Sequence, residues 1–411
     1  MRALGASRTS LVPGGVLAGP WVRNDLWRRA RAVPSLDLRF ADNKSLTDAV
    51  TGASLVTFTR ASSGTYTDSA GVIQTAATDV PRFDHNPTTG ESLGLLVEEA
   101  RTNLLLRSEA IATSPWFANA NTTLSNNTGE VLNPAGGSTA TKVAVSGGFG
   151  AFGQGAVLTA AIHTGSIWLR CATGTISAQL IVYLAESPFT NIGTTNVTIT
   201  TSWQRFNVVT STATAASYNF QINNIAVGTV YAWGAQLEVG SFPTSYIPTT
   251  TAAATRAADL ASISGSNLTS WYRQDEGTIF AQTQVAGYSS TSNPDLVSLF
   301  GANFVIDRIN MFVAGASPNY RAEIKVGNIT QLLQNVVSAA NIYDSNNFAI
   351  AYKENDSVSY GRNTNATDTL VTLPVITSLS FGASGGSAKY IRRVSYWPAR
   401  LPNSTLQTIT Q

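Results

Sequence analysis

The chain reads as an all-β protein, and three features of its sequence predict that class. Charged residues make up only 12% of the 411 positions and hydrophobic ones 43%, against roughly 25% charge in ordinary soluble domains. The place of the missing charge is taken by Thr, Ser, Asn, Ala and 33 Gly, which keep strand surfaces hydrated and supply turns. Short apolar runs with period-two alternation recur between Gly, Asn and Pro clusters, as in β-sandwiches. Mean hydropathy is +0.04, so there is ample material for packed cores and none of the compositional signs of disorder. The length suits two or three domains.

In order, the chain divides into an N-terminal anchoring arm (1–34), a small β joint domain (35–107), a β-sandwich (108–250), a connector (251–262) and a second β-sandwich (263–411). The arm holds six Arg and one acid, Asp25, a net charge of 6 − 1 = +5, which leaves 2 − 5 = −3 for the rest. Positive charge confined to a short segment suits docking on an acidic protein surface rather than nucleic-acid binding. Pro13, Pro20 and neighbouring glycines interrupt the first half of the arm, leaving residues 21–33 as a short helix. Its Trp21, Trp27, Arg28, Arg29 and Arg31 are residue types favoured as interface anchors. The N-terminus lacks the continuous apolar stretch of a signal peptide, and no run of about 20 apolar residues predicts a membrane span.

From Leu36 the joint domain alternates as a half-buried strand, then turns at Asp68–Gly71 and again at Asn86–Gly90. Its charged residues Arg60, Arg82, Asp84, Glu98, Glu99 and Arg101 suggest a paired polar network that sets the arm against the outer modules. The strings FTRASSGTYTDSAGVIQTA (58–76) and PRFDHNPTTGESLGLLVEEARTNLLLRSE (81–109) resemble a region of bacteriophage and prophage head-spike, head-fibre and tail-fibre proteins. YAWGAQLEVGSFPTSYIPTTTAAATRAAD (231–259) resembles the close of the carbohydrate-binding-type jelly roll that often follows it. The strand order after residue 263, ending in IRRVSYWPARLPNSTLQTIT with Leu401 and Leu406, is similar to concanavalin A-like or laminin-G-like sandwiches.

These resemblances imply a virion-surface spike or fibre protein, made in the host cytoplasm, that attaches to host surface glycans. Its partners would be capsid, portal or tail proteins, reached through the arm, and host polysaccharide. Oligomerisation through β surfaces is expected, as a trimer, with a pentamer as the alternative at a fivefold vertex. An architectural adaptor or decoration role and a capsule depolymerase are the competing readings.

Chemistry finds little to work with. Hydrolysis of a polysaccharide needs two carboxylates roughly 5 to 10 Å apart, yet Glu98/Glu99 and Asp275/Glu276 are sequence neighbours, which point to opposite faces of a strand. Gly382–Gly386 matches a nucleophile-elbow pattern, but no histidine follows it. The two histidines, His85 and His163, lie in different expected domains, which argues against a triad or zinc site. His85 reads as a turn residue, and the single cysteine, Cys171, reads as a buried apolar group. No catalytic residue, metal ligand or cofactor is assigned. Calcium is the one alternative, since Asp42–Asn43, Asp344 with Asn346 and Asn347, and Glu354 with Asp356 gather the oxygens it prefers. Sugar rings stack on aromatic faces, and Trp116, Trp203 and Trp271 lie in loop-like sequence where they could serve. Trp168 and Trp233, within apolar strands, are expected in the core.

Overall fold

A computed structural model describes residues 25–316, 319–337, 342–361, 364–382 and 386–411. It is all-β, and its sheets form two sandwiches. The first is a jelly roll of two five-stranded sheets. One runs Gln204–Val209, His163–Cys171, Gly228–Val239, Thr141–Val145, Thr122–Ser125, and the other Asn191–Ile199, Ile176–Leu184, Ala216–Ile225, Gly150–Leu158, Phe117–Ala118. Alternation sends Phe152, Ile167, Leu169, Leu180, Val182, Phe220, Ile222 and Leu237 between the sheets, where burial of each large side chain stabilises by about 1.5–3 kcal/mol. Cys171 is in this core too, buried and free as its apolar setting predicts.

The second sandwich is built from both ends of the chain. Its larger described sheet has eight strands: Thr364–Asp368, Asp356–Gly361, Asn346–Lys353, Glu276–Tyr288, Ser387–Trp397, Ser92–Glu98 and Phe83–His85 in order, with Leu36–Leu38 also paired to Ser387–Trp397. The facing sheet runs Thr57–Thr59, Leu260–Ser264, Ser378–Ser380, Asp295–Phe300, Arg308–Ala314, Asn319–Val326 and Ile329–Val337. Leu36, Leu38, Phe40, Leu95 and Val97 therefore share one core with Ile279, Leu299, Ile350, Ile391 and Val394.

This corrects the expected division. Residues 35–107 do not make a joint domain with a core of its own, because most of their strands find hydrogen-bonding partners in the second sandwich. Residues 251–262 are not a plain connector either: Ala254–Arg256 pairs antiparallel with Arg101–Asn103, and Leu260–Ser264 enters the facing sheet beside Thr57–Thr59. The jelly roll is thus an insertion, leaving and re-entering its host through the two-stranded Arg101–Asn103/Ala254–Arg256 neck. Asn103 fastens the neck to the roll, donating to the Ala235 and Ile247 carbonyls at 3.0 and 2.9 Å and accepting from the Leu105 and Leu237 amides. Gly240 sits at φ +127°, and a Cβ there would fall on the Arg101 guanidinium.

Of the arm, the residues from Asp25 are described, and Trp21 lies outside them. Helix Asp25–Ala30 packs its Leu26 and Ala30 with Leu401, Leu406 and Ile409 of the terminal helix region, over Phe280 and Trp397. Trp27 is not offered outward: its indole N–H donates to Asp37 at 2.9 Å. Arg29 donates to the Thr408 and Gln411 carbonyls, and Arg28 pairs with Asp25 at 2.5 Å. Arg31 is exposed. Arg29 therefore ties the two ends of the described chain together, and Trp27 ties the helix to the first strand.

Residues 260–411 alone are expected to stay unfolded, since Leu36–Leu38, Thr57–Thr59 and Ser92–Glu98 are missing from their sheets. Residues 101–257 alone should fold cooperatively. Far-UV circular dichroism and urea titration of the two pieces check both outcomes.

Candidate functional site

Where the two sandwiches meet, a buried ion network joins them. Arg60 pairs with Asp259 at 3.1 Å, Arg82 with Glu98 at 2.8 Å and with Asp259, and Arg256 with Glu98 at 3.0 Å. All five residues are buried, so each cation must be matched or solvated by protein. The three guanidiniums outnumber the two carboxylates, and main-chain carbonyls take the surplus donors. Arg60 donates to Ser62 and Ala77 at 2.9 and 2.7 Å, Arg82 to Thr65 at 2.9 Å, and Arg256 to Glu99. Ser245, from the roll's closing segment, donates its amide and hydroxyl to Glu98 at 2.8 and 2.6 Å. Burial alone would push the Glu98 carboxyl up, but Arg256, Arg82 and Ser245 together outweigh it and hold it down at about 2.

The expected network is therefore present in part, with different company. Arg60, Arg82 and Glu98 belong to it, whereas Glu99 pairs with Arg101 beside it, and Asp84 stands apart. Arg256 and Asp259 were not foreseen. The network also sets the jelly roll against its host sandwich, not the arm against either.

Beside this network lies a cavity of about 1010 Å3, lined from both sandwiches. The roll contributes the outward face of one sheet. Ile167, Leu169 and Cys171 point into the core, so Trp168 points out, with Arg205 and Trp233 flanking it in register. The Arg205 guanidinium lies 4.4 Å from the centre of the Trp168 ring and donates to Thr244 O and Ser166 Oγ at 2.6 and 3.0 Å. Tyr246 folds over the row, 5.6 Å from Trp168 and 4.6 Å from Trp233 between ring centres. Trp203, half-buried, donates to the Leu132 carbonyl at 2.8 Å and leaves its ring on the wall.

From the host come Asp84, His85 and Asn86, Gln284, Tyr343 and Tyr390. Asp84 accepts from the Thr67 and His85 amides at 2.6 and 3.0 Å and is hydrogen-bonded to Tyr390. Burial pushes its carboxyl up to about 6, against the pull of those two amides. The Tyr390 phenol is pushed up as well, by burial first and by Asp84 next.

Of the expected sugar-binding tryptophans, only Trp203 reaches this cavity. Trp116 is 7% exposed and spends its indole N–H on the Leu106 and Arg107 carbonyls. Trp271 is 4% exposed and packs on Tyr396 with ring centres 5.0 Å apart. Both lie in loop-like sequence that folds inward, which composition alone does not reveal. Trp168 was expected in the core because its neighbours are apolar, although strict alternation from Ile167 and Leu169 gives its outward direction. His85 and Tyr343 carried no local signal, since what they line is made by segments remote in sequence.

Asp275 and Glu276 both meet Arg273, Asp42 meets Arg39, and Asp356 meets Arg400. No group of three or more His, Cys, Asp or Glu placed to hold a metal occurs among the described residues, and no described helix is long and apolar enough to cross a membrane.

No family model matches the chain, and no curated protein matches it. Solved structures similar to part of it include the CBM22-1 xylan-binding domain of Paenibacillus barcinonensis Xyn10C, at 11% identity and TM-score 0.28 over 34% of this chain and 96% of that one. The Ruminococcus gnavus IT-sialidase CBM40 bound to alpha2,3 sialyllactose is 13% identical, TM-score 0.28, over 34% of this chain and 83% of that one. The enzymatically active domain of bacteriophage CBA120 tailspike protein 4 is 16% identical, TM-score 0.27, over 34% of this chain and 21% of that one.

With Glu98 held below its ordinary range, its contribution to stability is complete above pH about 4.5 and is lost as pH falls toward about 2. Urea titrations should show this loss in the native protein, and Glu98→Gln should flatten it. Removing one partner of the network by Asp259→Ala should cost about 3–5 kcal/mol, read in the same titrations.

Proposed function

We propose that the chain is a glycan-binding protein that attaches a virion to its host without cleaving what it binds. The observation that carries the binding part is the cavity between the sandwiches. Trp168, Trp203 and Tyr343 line it, and Gln284, Asn86 and His85 stand beside them. Apolar ring faces with a few placed polar groups suit a sugar, whose ring has an apolar face and hydroxyls at its rim. The virion part is supported by the ordered strings at 58–76 and 81–109 and their resemblance to phage spike and fibre proteins. A head-spike, head-fibre or tail-fibre position, self-association and capsid, portal or tail partners belong to the same proposal.

One observation favours a depolymerase. Asp84 and Glu98 both line the cavity, and their carboxyls are driven apart, to about 6 and about 2, the pattern of an acid and a base at work. Glu98, however, has both oxygens engaged by Ser245, Arg82 and Arg256. A base or nucleophile needs a free lone pair facing substrate, so binding is the better account.

Trp203→Ala and Trp168→Ala should each weaken glycan binding about tenfold, as read on an array and by calorimetry. Trp116→Phe and Trp271→Phe should leave it unchanged. Purified chain should compete with particles for adsorption to host cells, and release of reducing ends from host capsule would overturn the non-catalytic reading.

A further inference from the structure

The outward face of the jelly roll's second sheet carries a site that the cavity does not use. Three side-chain amides from three neighbouring strands join there in a row: Asn224 donates to Gln179 Oε1 at 2.7 Å, and Gln179 donates to Asn196 Oδ1 at 2.8 Å. Alternation accounts for two of them. Ala178, Leu180 and Val197 belong to the core, so Gln179 and Asn196 point out, directly opposite each other across the strand pair. Asn224 needs an irregularity. Ile222 and Ile225 are both in the core, and their pairing with Gly150–Leu158 shifts register between them. Two residues there oppose one, as in a β-bulge. Asn224 takes φ +51°, a left-handed conformation that Asn tolerates and most residues avoid.

The row lies in a pocket of about 390 Å3, inside the range of ligand clefts, about 300–1,000 Å3. Ser177 and Thr198 add hydroxyls to its lining, and Phe149, 63% exposed, adds apolar surface. None of its described lining residues carries a charge. A side-chain amide has two N–H donors and a carbonyl that accepts twice, so the two bonds of the row leave capacity over. The Asn196 NH2 at one end and the Asn224 carbonyl at the other make no hydrogen bond to the protein among the described residues. Turning all three amides round would exchange the ends and still leave one donor group and one acceptor. Each amide is held by its neighbour, which pre-organises those free groups for a ligand.

We infer that this pocket is a second binding site, for a neutral sugar, on the side of the roll away from the cavity. Sugar hydroxyls donate and accept at once, which matches amides that offer both, and the apolar side of a sugar ring suits Phe149. An ionic ligand would find no opposite charge among the described lining residues. The cavity is walled by Trp168 on the roll's other sheet, and the two sites share no residue. The inference therefore stands independently of the cavity. With both sites, one chain engages two stretches of polysaccharide, which raises avidity.

The test adds linear hexasaccharides of glucose, mannose, galactose and xylose to the 15N-labelled full chain. It follows the side-chain amide resonances of Gln179, Asn196 and Asn224, a readout that needs no variant to fold. At least one of these sugars should move all three, in the native protein and equally in Trp203→Ala. Phe149→Ala and Gln179→Ala should each weaken that binding about tenfold, read by calorimetry, and leave Trp203-dependent binding unchanged. Resonances unmoved by every sugar, or moved only by an extended Gly-Ser hexapeptide, overturn the inference and leave the cavity reading untouched. Shifts that vanish in Trp203→Ala overturn it too, because they would report on the cavity. Shifts at all three amides with no Trp203-dependent binding anywhere support this site and overturn the cavity reading instead.

Discussion

Everything that positions the cavity depends on the buried contact of Arg60, Arg82 and Arg256 with Glu98 and Asp259. Five ionisable side chains taken out of water are costly unless each is met in good geometry. Here Glu98 comes from the host's first half, Asp259 and Arg256 from the returning chain, and Ser245 from the roll. Satisfying the charges therefore requires all of those segments to be in place together. A displaced roll would take the two Ser245 donors away from the Glu98 carboxylate.

That arrangement creates a wall neither sandwich has alone. The Trp168–Arg205–Trp233 row is an ordinary outward strand face, solvated if the roll stood free. The closing segment Phe242–Thr249 covers part of it with Tyr246, and Thr65 donates to the Tyr246 carbonyl at 2.6 Å. Through that bond the hairpin that carries Thr67 is tied to the segment that packs on the tryptophans. Asp84 and His85 stand one strand further along and complete the opposite side. Polar groups at such a seam are held by packing on two bodies, which pre-organises them for a ligand.

Insertion also explains the arm. A host sandwich whose sheets are shared between residues 36–98 and 260–397 has its chain ends near each other. Helix Asp25–Ala30 and helix Asn403–Thr410 cover the same corner, with Trp27 reaching Asp37 and Arg29 the last carbonyls. Asp37 in turn accepts from Arg393 and Ser395, so the arm's described part is anchored to the sheet. Tryptophan and arginine signal an interface in sequence without saying whether the surface they meet is their own.

The sequence by itself determined the all-β class and the membership of Arg60, Arg82 and Glu98 in a polar network. Alternation and turn residues act over a few positions, and charge in an otherwise uncharged chain is conspicuous. Strand partnership was decided only in three dimensions. Leu36–Leu38 meets Tyr396–Val394 across more than three hundred residues, and no local pattern encodes that distance. The same holds for the cavity: Trp203 was legible as a loop aromatic, but Trp116 and Trp271 look alike in sequence and are buried by packing. His85 reaches the same wall only because Phe83–His85 pairs beside Ser92–Glu98 in the host sheet.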